Sequence, residues 1–278
     1  MGPIEMEQSR EFYYSRLAAI REHLWAGDIY QANYTQRVRV EGRFSSAGLF
    51  AAMAARNAAP FSAYLDCGDH AIVSASPELF LDFDGTTATT RPIKGTRPRG
   101  RTPEEDARLA AELSASPKDL AEHLMIVDLE RNDLGRVCAA GSVRAYDMLS
   151  VESYASVHHL VSSVRGRLPA DRGSAELLRA LFPGGSVTGA PRRRAMQIIA
   201  ELEPCPRGVY TGCIGWLDDS GRMQWNIAIR TLVVTPEEVC FHVGGGIVWD
   251  SDPEAEYEEC RAKAAGLLWS LETHEYDS

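Results

Sequence analysis

Strand-forming and helix-forming segments occupy separate blocks of this chain and do not alternate one by one. Apolar residues at helical spacing predict helices over residues 9–25, 103–134 and 253 to about 271. Strand-like runs separated by turn signals predict strands over 30–40, within 61–90, at 160–164 and from 210 to 248. Such blocks favour an α+β fold of layered sheets flanked by helices. No segment has the composition of a linker, so we expect residues 1–278 to form a single domain.

The charge and the cysteines restrict the partners and the location of the chain. A formal net charge of −10 argues against nucleic acid as a partner, because phosphate backbones require a basic surface. An anionic ligand would need local Lys and Arg side chains or a metal ion. The six cysteines form no CxxC pair and no long apolar run is present. We therefore expect a reduced, cytoplasmic protein without a membrane segment.

Lys94 lies in the segment PIKGT, between Ile93 and Gly95. A lysine flanked by proline, isoleucine and Gly-Thr has less freedom than a surface lysine. Its amine is therefore a candidate for nucleophilic chemistry. The alternative is a lysine that only forms a salt bridge with a carboxylate.

The closing helix carries Glu256, Glu259 and Lys263 at positions i, i+3 and i+7, on one face. On its own this pattern is typical of a solvated helix face. The helix follows the segment FHVGGGIV, however, and glycines at a strand end let backbone N–H groups approach an anion closely. Gly244, Gly245 and Gly246 are the glycines concerned.

Glu122 lies in a predicted helix over 117–130 that is apolar nearly all round, which indicates burial. A buried acid is costly unless it is paired or bound to a metal. Oxygen ligands from two helices, completed by water and substrate, suit Mg²⁺, and Glu122 with Glu259 would supply them. The alternative is that Arg131 or another base neutralises Glu122.

Alternation over residues 223–230 predicts a strand with Asn226, Ala228 and Arg230 on one face. A strand arginine can bind a carboxylate in a bidentate manner, and the Tyr210 hydroxyl group could add a second donor.

Seven segments taken together resemble the chorismate-utilising enzymes, in chain order and over nearly the whole chain. They are PIKGTRPRG, EHLMIVDLERNDLGRV, YASVHHLVSSV, FPGGSVTGAPRRRAMQIIAELEP, YTGCIGWL, NIAIRT and GGGIVWDSDPEAEYEECRAKA. The resemblance implies the fold of that family, with layered, mostly antiparallel sheets flanked by helices. It also implies chorismate as substrate and Mg²⁺ as cofactor.

The resemblance assigns roles to individual positions. Glu122 and Glu259 match metal ligands, and Glu256 matches a nearby second-shell or water-mediated ligand. Glu78 matches the acid that protonates the departing C4 hydroxyl group, and His159 matches a histidine beside the reacting ring. The positions that match the substrate-binding set are Gln31, Gly95, Thr96, Tyr210, Arg230, Gly244, Gly245, Gly246 and Lys263.

Two positions separate the reactions within the family. Isochorismate and salicylate makers carry a water-activating lysine where this chain has Gln31, so water addition at C2 is poorly supported. Anthranilate synthases usually carry alanine at the position of Lys94. The PIKGT form resembles component I of aminodeoxychorismate synthase, in which the lysine attacks C2 and ammonia then enters at C4.

The ammonia is expected from a glutaminase subunit, because no cysteine here lies in a nucleophile elbow. We expect the chain to lack the N-terminal region typical of the family and a regulatory tryptophan site. Two alternatives stay open. The chain could be an anthranilate synthase component I, or a non-catalytic chorismate-binding subunit.

Overall fold

The computed structural model describes residues 4–56, 59–155 and 157–272. Its helices are α1 (Arg10–Trp25), α2 (Ser46–Arg56), α3 (Pro103–Ala115), α4 (Pro117–Gly135), α5 (Ser174–Leu181), α6 (Arg192–Leu202) and α7 (Pro253–Glu272). The strands are β1 (Ile4–Met6), β2 (Gln31–Glu41), β3 (Phe61–Asp66), β4 (Ala71–Ser76), β5 (Leu79–Phe83), β6 (Thr87–Arg91), β7 (Ile93–Pro98), β8 (Arg144–Ser153), β9 (Val157–Arg167), β10 (Gly189–Ala190), β11 (Gly215–Leu217), β12 (Met223–Asn226), β13 (Thr231–Val234) and β14 (Glu238–Ile247).

These elements fall into two compact units, each assembled from separate stretches of the chain. The first unit comprises Met1–Pro77, Ser186–Gly212 and Ala228–Ser278, and the second comprises Glu78–Gly185 and Cys213–Ile227. Both are sheets with helices packed on them, which confirms the α+β fold class. The single-domain organisation stays a prediction.

The first unit is built on an antiparallel sheet in the order β1-β2-β14-β13-β4-β3, with β10 also paired to β2. Strand β2 alternates, so that Ala32, Tyr34, Val38 and Val40 enter the apolar core. Residues from α1, α2, α6 and α7 complete that core. Burial of these apolar side chains, at about 25 cal/mol per Å² of apolar surface, is the main force that holds the unit together.

The second unit is built on an antiparallel sheet in the order β11-β12-β5-β6-β9-β7, with β8 paired to β9. Helices α3, α4 and α5 belong to this unit. Strand β9 is buried over most of its length, because it pairs with β6, with β7 and with β8.

The predicted helices α1, α4 and α7 are confirmed, and the structure shows which residue caps the N-terminus of each. The side chains of Ser9 and Ser116 accept hydrogen bonds at the starts of α1 and α4, and Pro117 occupies the first turn of α4. Asp252 caps α7 by accepting from the Ala255 N–H group at 2.9 Å. Ser251, the residue before it, donates to Glu256 at 2.7 Å.

Helix α4 is buried on one side only, so the prediction that it is buried all round was wrong. Ile126, Val127 and Leu134 are buried, whereas Leu124 is 45% exposed. The error arose because apolar side chains also lie on the outer face, where burial does not follow from hydrophobicity alone. Elements α2, α5, β7 and β8 were not predicted at all.

The predicted alternation over residues 223–230 was also wrong beyond Asn226. Strand β12 ends at Asn226, after a register shift in its pairing with β5. Ile227 and Ala228 are both buried, and Arg230 adopts a positive φ of 50°. Arg230 therefore does not share a strand face with Asn226 and Ala228.

Candidate functional site

Lys94 lies on β7 in the second unit, directly before a β-bulge. In the pairing of β7 with β9, Lys94 lies opposite Leu160 and Thr96 lies opposite His159, with the register shift between them at Gly95. Gly95 has a φ of +79°, and a Cβ atom there would lie 2.8 Å from Leu113 Cδ1. Only glycine fits this backbone without strain. The bulge therefore restrains the backbone next to Lys94, from which the side chain with its amine extends.

His123 of α4 lies close enough to Lys94 for the charge of the lysine to affect the pKa of the imidazole. The imidazole is 0% exposed, and its Nε2 atom lies 2.7 Å from the Ser162 hydroxyl group. That hydroxyl oxygen also accepts from the Leu149 N–H group at 2.9 Å. Burial and the nearby Lys94 ammonium group lower the pKa of His123 to about 4. At neutral pH Lys94 therefore has an uncharged imidazole in its vicinity.

His159 and Thr96 are brought together by the same strand pairing. The Nδ1 atom of His159 lies 3.0 Å from the Thr96 hydroxyl group. The His159 ring, 2% exposed, meets the ring of Tyr154 edge to face at 5.6 Å between centroids. These contacts hold the ring of His159 in a single orientation.

Glu78 lies in the short connection between β4 and β5. Its residue is 4% exposed, and its carbonyl oxygen accepts from the Ile227 N–H group at 3.0 Å. This hydrogen bond anchors the backbone at Glu78. The low exposure of the residue shields its carboxyl group from bulk water.

Glu122 has a different partner from the one suggested by its sequence neighbours. Its side chain is 16% exposed and lies 4.0 Å from Lys118 Nζ, one helical turn earlier. Arg131 instead pairs with Asp128 at 3.2 Å. The alternative in which a base neutralises Glu122 thus involves Lys118 and not Arg131. The 4.0 Å separation is long for a hydrogen bond.

The first unit gathers α7 carboxylates against the glycine run of β14. A Cβ atom on Gly245 would lie 3.3 Å from Glu256 Oε2, 3.8 Å from Glu259 Oε1 and 3.9 Å from Lys263 Nζ. Lys263 donates to the Gly244 carbonyl at 2.7 Å and pairs with Glu259 at 2.6 Å. The missing side chain at Gly245 thus leaves space beside two carboxylates and one amine.

This arrangement fits a hard cation with few protein ligands. Carboxylate oxygens are the donors that Mg²⁺ prefers, usually one or two with water and substrate oxygens completing the shell. Glu259 can accept from Lys263 and still offer further lone pairs. Across the described residues, no three His, Cys, Asp or Glu side chains are grouped closely enough to form a metal site.

Tyr210 and Gln31 also belong to the first unit. The Tyr210 ring stacks on His242 with centroids 5.3 Å apart and ring planes inclined by 16°. Gln31 is 0% exposed, and neither polar atom of its side chain has a hydrogen-bond partner among the described residues. A buried amide without partners is costly, so this side chain is a candidate to meet a ligand. Arg230 offers its carbonyl oxygen to the Ala75 N–H group at 3.1 Å.

Several residues around the predicted positions were missed by sequence reasoning. They are His123, Glu203, Arg207 and His242. The only signal for them was proximity in sequence to quoted segments: His123 follows Glu122, and His242 precedes Gly244 by two positions.

A surface depression of about 500 Å³ lies in the second unit, lined by Arg136, Val137, Asp171, Arg172, Glu176, Arg179 and Ala180. None of the predicted site residues lines it, and its walls mix both signs of charge. We do not assign it to the chemistry. Among the described residues, no helix combines the length and apolar character needed to cross a membrane.

The sequence matches the chorismate binding enzymes over residues 2–268. The chain belongs to this family. It is 46% identical over 268 residues to aminodeoxychorismate synthase component 1 of Escherichia coli, a match that covers 96% of this chain and 59% of the relative. It is 46% identical over 264 residues to anthranilate synthase component 1 1 of Haloarcula marismortui, covering 95% and 54%.

A solved member of the chorismate binding enzymes has the same fold. Anthranilate synthase component I from Streptococcus pneumoniae superposes with a TM-score of 0.88 at 35% identity, covering 95% of this chain and 59% of that one. The family assignment and the fold predicted from the sequence are confirmed. The chain spans a little over half the length of these relatives.

Proposed function

We propose that this chain acts as an aminodeoxychorismate synthase component I, converting chorismate and ammonia to 4-amino-4-deoxychorismate. The observation that carries the proposal is Lys94 in the PIKGT segment, fixed by the Gly95 bulge on β7. A lysine amine can serve as a nucleophile when its surroundings favour the neutral form.

The reaction proceeds through two displacements. The neutral Lys94 amine attacks C2 of chorismate, the conjugated ring double bonds shift, and the C4 hydroxyl group leaves as water with a proton from Glu78. In forming the secondary amine, Lys94 gives up a proton that restores the Glu78 carboxylic acid. Ammonia then attacks C4, the double bonds shift back, and the C2–N bond breaks. A proton from the incoming ammonia returns to Lys94, so the net products are 4-amino-4-deoxychorismate and water.

The side chains of the first unit are assigned to substrate binding. Tyr210, Arg230 and Lys263 supply donors for the two carboxylates of chorismate, and the Gly244–Gly246 amides add backbone donors. His159 and Thr96 of the second unit are assigned to the ring region. Gln31 stands where a water-activating lysine would be needed for isochorismate formation, which disfavours that reaction.

Magnesium is proposed as the cofactor, with Glu122 and Glu259 as its direct ligands and Glu256 acting through a water molecule. When bound, it would neutralise a substrate carboxylate and orient it toward the protein. This local positive charge would allow a chain with a net charge of −10 to accept a dianionic substrate. We also propose that a separate glutaminase subunit supplies the ammonia in a cytoplasmic complex.

Anthranilate synthase is the second candidate, favoured by the relative of that name that is 46% identical over 264 residues. The experiment that separates the two incubates the protein with Mg²⁺, chorismate and an ammonium salt. Aminodeoxychorismate lyase is then added and the products are identified by mass spectrometry. We expect p-aminobenzoate. Anthranilate as the main product would establish the second candidate, and no turnover would favour a non-catalytic subunit.

A further inference from the structure

His242 provides a flat surface for the ring of Tyr210. It lies on β14, two residues before Gly244, and its residue is 6% exposed. The near-parallel stack at 5.3 Å restricts the plane of the phenol ring, since a buried ring of fixed orientation leaves little room for rotation of its neighbour. The Nδ1 atom of His242 has no hydrogen-bond partner among the described residues, and its ring face contacts Tyr210.

The imidazole is uncharged at neutral pH. Burial first, and then the charges of Arg37 and Arg207, lower the pKa of His242 to about 4, with Glu7 acting in the opposite direction. A neutral ring stacks on Tyr210 without drawing on the lone pairs of the phenol oxygen. The stack involves the faces of the two rings, so it does not engage the Tyr210 hydroxyl group as donor or acceptor.

The backbone of Tyr210 is held independently by Arg207. The Tyr210 N–H group donates to the Arg207 carbonyl at 3.1 Å, which closes a tight turn. The Arg207 guanidinium group donates to Glu203 at 2.7 Å and to the Val187 carbonyl at 2.8 Å. The Glu203 side chain is 5% exposed, so this ion pair is well shielded and geometrically constrained.

We propose that His242 is a positioning residue for Tyr210, fixing the ring so that the phenol hydroxyl group can donate to a carboxylate of chorismate. The inference rests on the proposed function only in naming chorismate as the ligand. With the backbone anchored by Arg207 and the ring plane set by His242, the hydroxyl group has little freedom left. Hydrogen bonds to carboxylates are short and sensitive to displacement, so loss of the stack should weaken binding.

A double-mutant cycle on binding tests this inference. Chorismate is titrated calorimetrically into protein with Mg²⁺ and without ammonia, in a Lys94→Ala background so that no covalent step contributes heat. We expect His242→Ala to raise the Kd about tenfold, which corresponds to about 1.4 kcal/mol. In a Tyr210→Phe background the same change should alter the Kd less than about twofold, because the hydroxyl group is already absent.

His242→Phe is the matched control, since it keeps a flat ring and removes the titrating nitrogens. We expect it to bind within about twofold of the parent, with a thermal unfolding midpoint close to that of the parent. Equal effects of His242→Ala in both Tyr210 backgrounds would overturn the inference, as would an unchanged Kd or a His242→Phe variant that folds yet binds as weakly as His242→Ala. If the chain makes anthranilate, the proposed function is wrong but the double-mutant cycle remains a valid test. If the parent binds no chorismate, both the proposed function and the inference about His242 are wrong.

Discussion

At the scale of single residues, the segment around Lys94 identified this lysine as a candidate. It did not indicate which residues surround the lysine in the folded protein. PIKGT predicted a constrained amine. The structure adds the reason, a bulge at Gly95 with φ +79°, and a neighbour that no pattern indicated, the neutral His123. His123 is adjacent to Glu122 in sequence, yet only the packing of α4 on β7 and β9 brings it near Lys94.

Two substitutions of Lys94 separate nucleophilic chemistry from simple charge pairing. Lys94→Ala should lower the rate of aminodeoxychorismate formation by roughly a thousandfold or more, because the attacking amine is absent. Lys94→Arg should lose as much, since a guanidinium group keeps the charge but does not become neutral. Rates are measured with ammonia by coupling to the lyase, and circular dichroism checks the fold. Retained activity in Lys94→Arg would show that Lys94 serves only as a cation.

At the scale of elements, the long and regular segments were predictable and the locally irregular ones were not. Helices α1, α3, α4 and α7 carried capping residues and helical periodicity. Strand β7 was not predicted, because a proline, a glycine and a bulge interrupt the alternation of apolar and polar residues along it. The strand predicted over 223–230 ends at Asn226, after a register shift in its pairing with β5, and Arg230 then takes a positive φ. Both features depend on tertiary packing, which an alternating sequence pattern does not encode.

The bulge itself makes a prediction about stability. Gly95→Ala should be destabilising both because φ is +79° and because the new methyl group would meet Leu113 and Asp119. Gly85 has a similar φ of +98°, and a Cβ atom there would meet nothing within 4 Å, so Gly85→Ala isolates the conformational cost of about 1–2 kcal/mol.

We expect Gly95→Ala to lower the free energy of unfolding by about 1–3 kcal/mol more than Gly85→Ala. Urea denaturation of both variants measures the difference. Equal losses would mean that Leu113 and Asp119 move aside at negligible cost.

Helix α7 offers a matched pair for the proposed metal. Glu259 lies beside Gly245 and Lys263, whereas its neighbour Glu258 pairs with Arg10 at 2.9 Å. Glu259→Gln should raise the Mg²⁺ concentration for half-maximal activity about tenfold or more. Glu258→Gln should leave it within about twofold. Titration of Mg²⁺ after removal of metal with a chelator gives both values, and similar shifts in the two variants would argue against Glu259 as a ligand.

At the scale of the whole molecule, the order of motifs along the chain was enough to predict the family and the fold class. The division into two units, each formed from separated stretches, was not predicted, because no linker composition marks Pro77, Gly185, Gly212 or Ile227. The chain crosses from one unit to the other in short connections outside the strands. The predicted site residues consequently distribute over both units, with Lys94, Glu78 and His159 in the second.

Each unit contains a buried histidine whose lowered pKa should couple stability to pH. The pKa values of His123 and His242 fall to about 4 in the folded protein, against about 6.5 in an unfolded chain. Between pH 6.5 and 4 the unfolded state therefore binds more protons, and stability is lost as the pH falls through this window. Each histidine contributes a slope of up to about 1.4 kcal/mol per pH unit.

His242→Phe should remove one of these two contributions. Urea denaturation at several pH values between 6.5 and 5 should therefore give a shallower decline for the variant than for the parent. Identical slopes would show that His242 is protonated as readily in the folded protein as in the unfolded chain.

The central claim is that the Lys94 amine forms a bond to C2 of the substrate. The most direct measurement is intact-protein and peptide mass spectrometry after rapid denaturation of the enzyme with chorismate and Mg²⁺ in the absence of ammonia. The sequence contains three lysines, Lys94, Lys118 and Lys263, so the modified peptide identifies the site. We predict an added mass of chorismate less one water on the Lys94 peptide, absent in Lys94→Ala. Full turnover to 4-amino-4-deoxychorismate by Lys94→Ala, with no adduct on the parent, would contradict the claim.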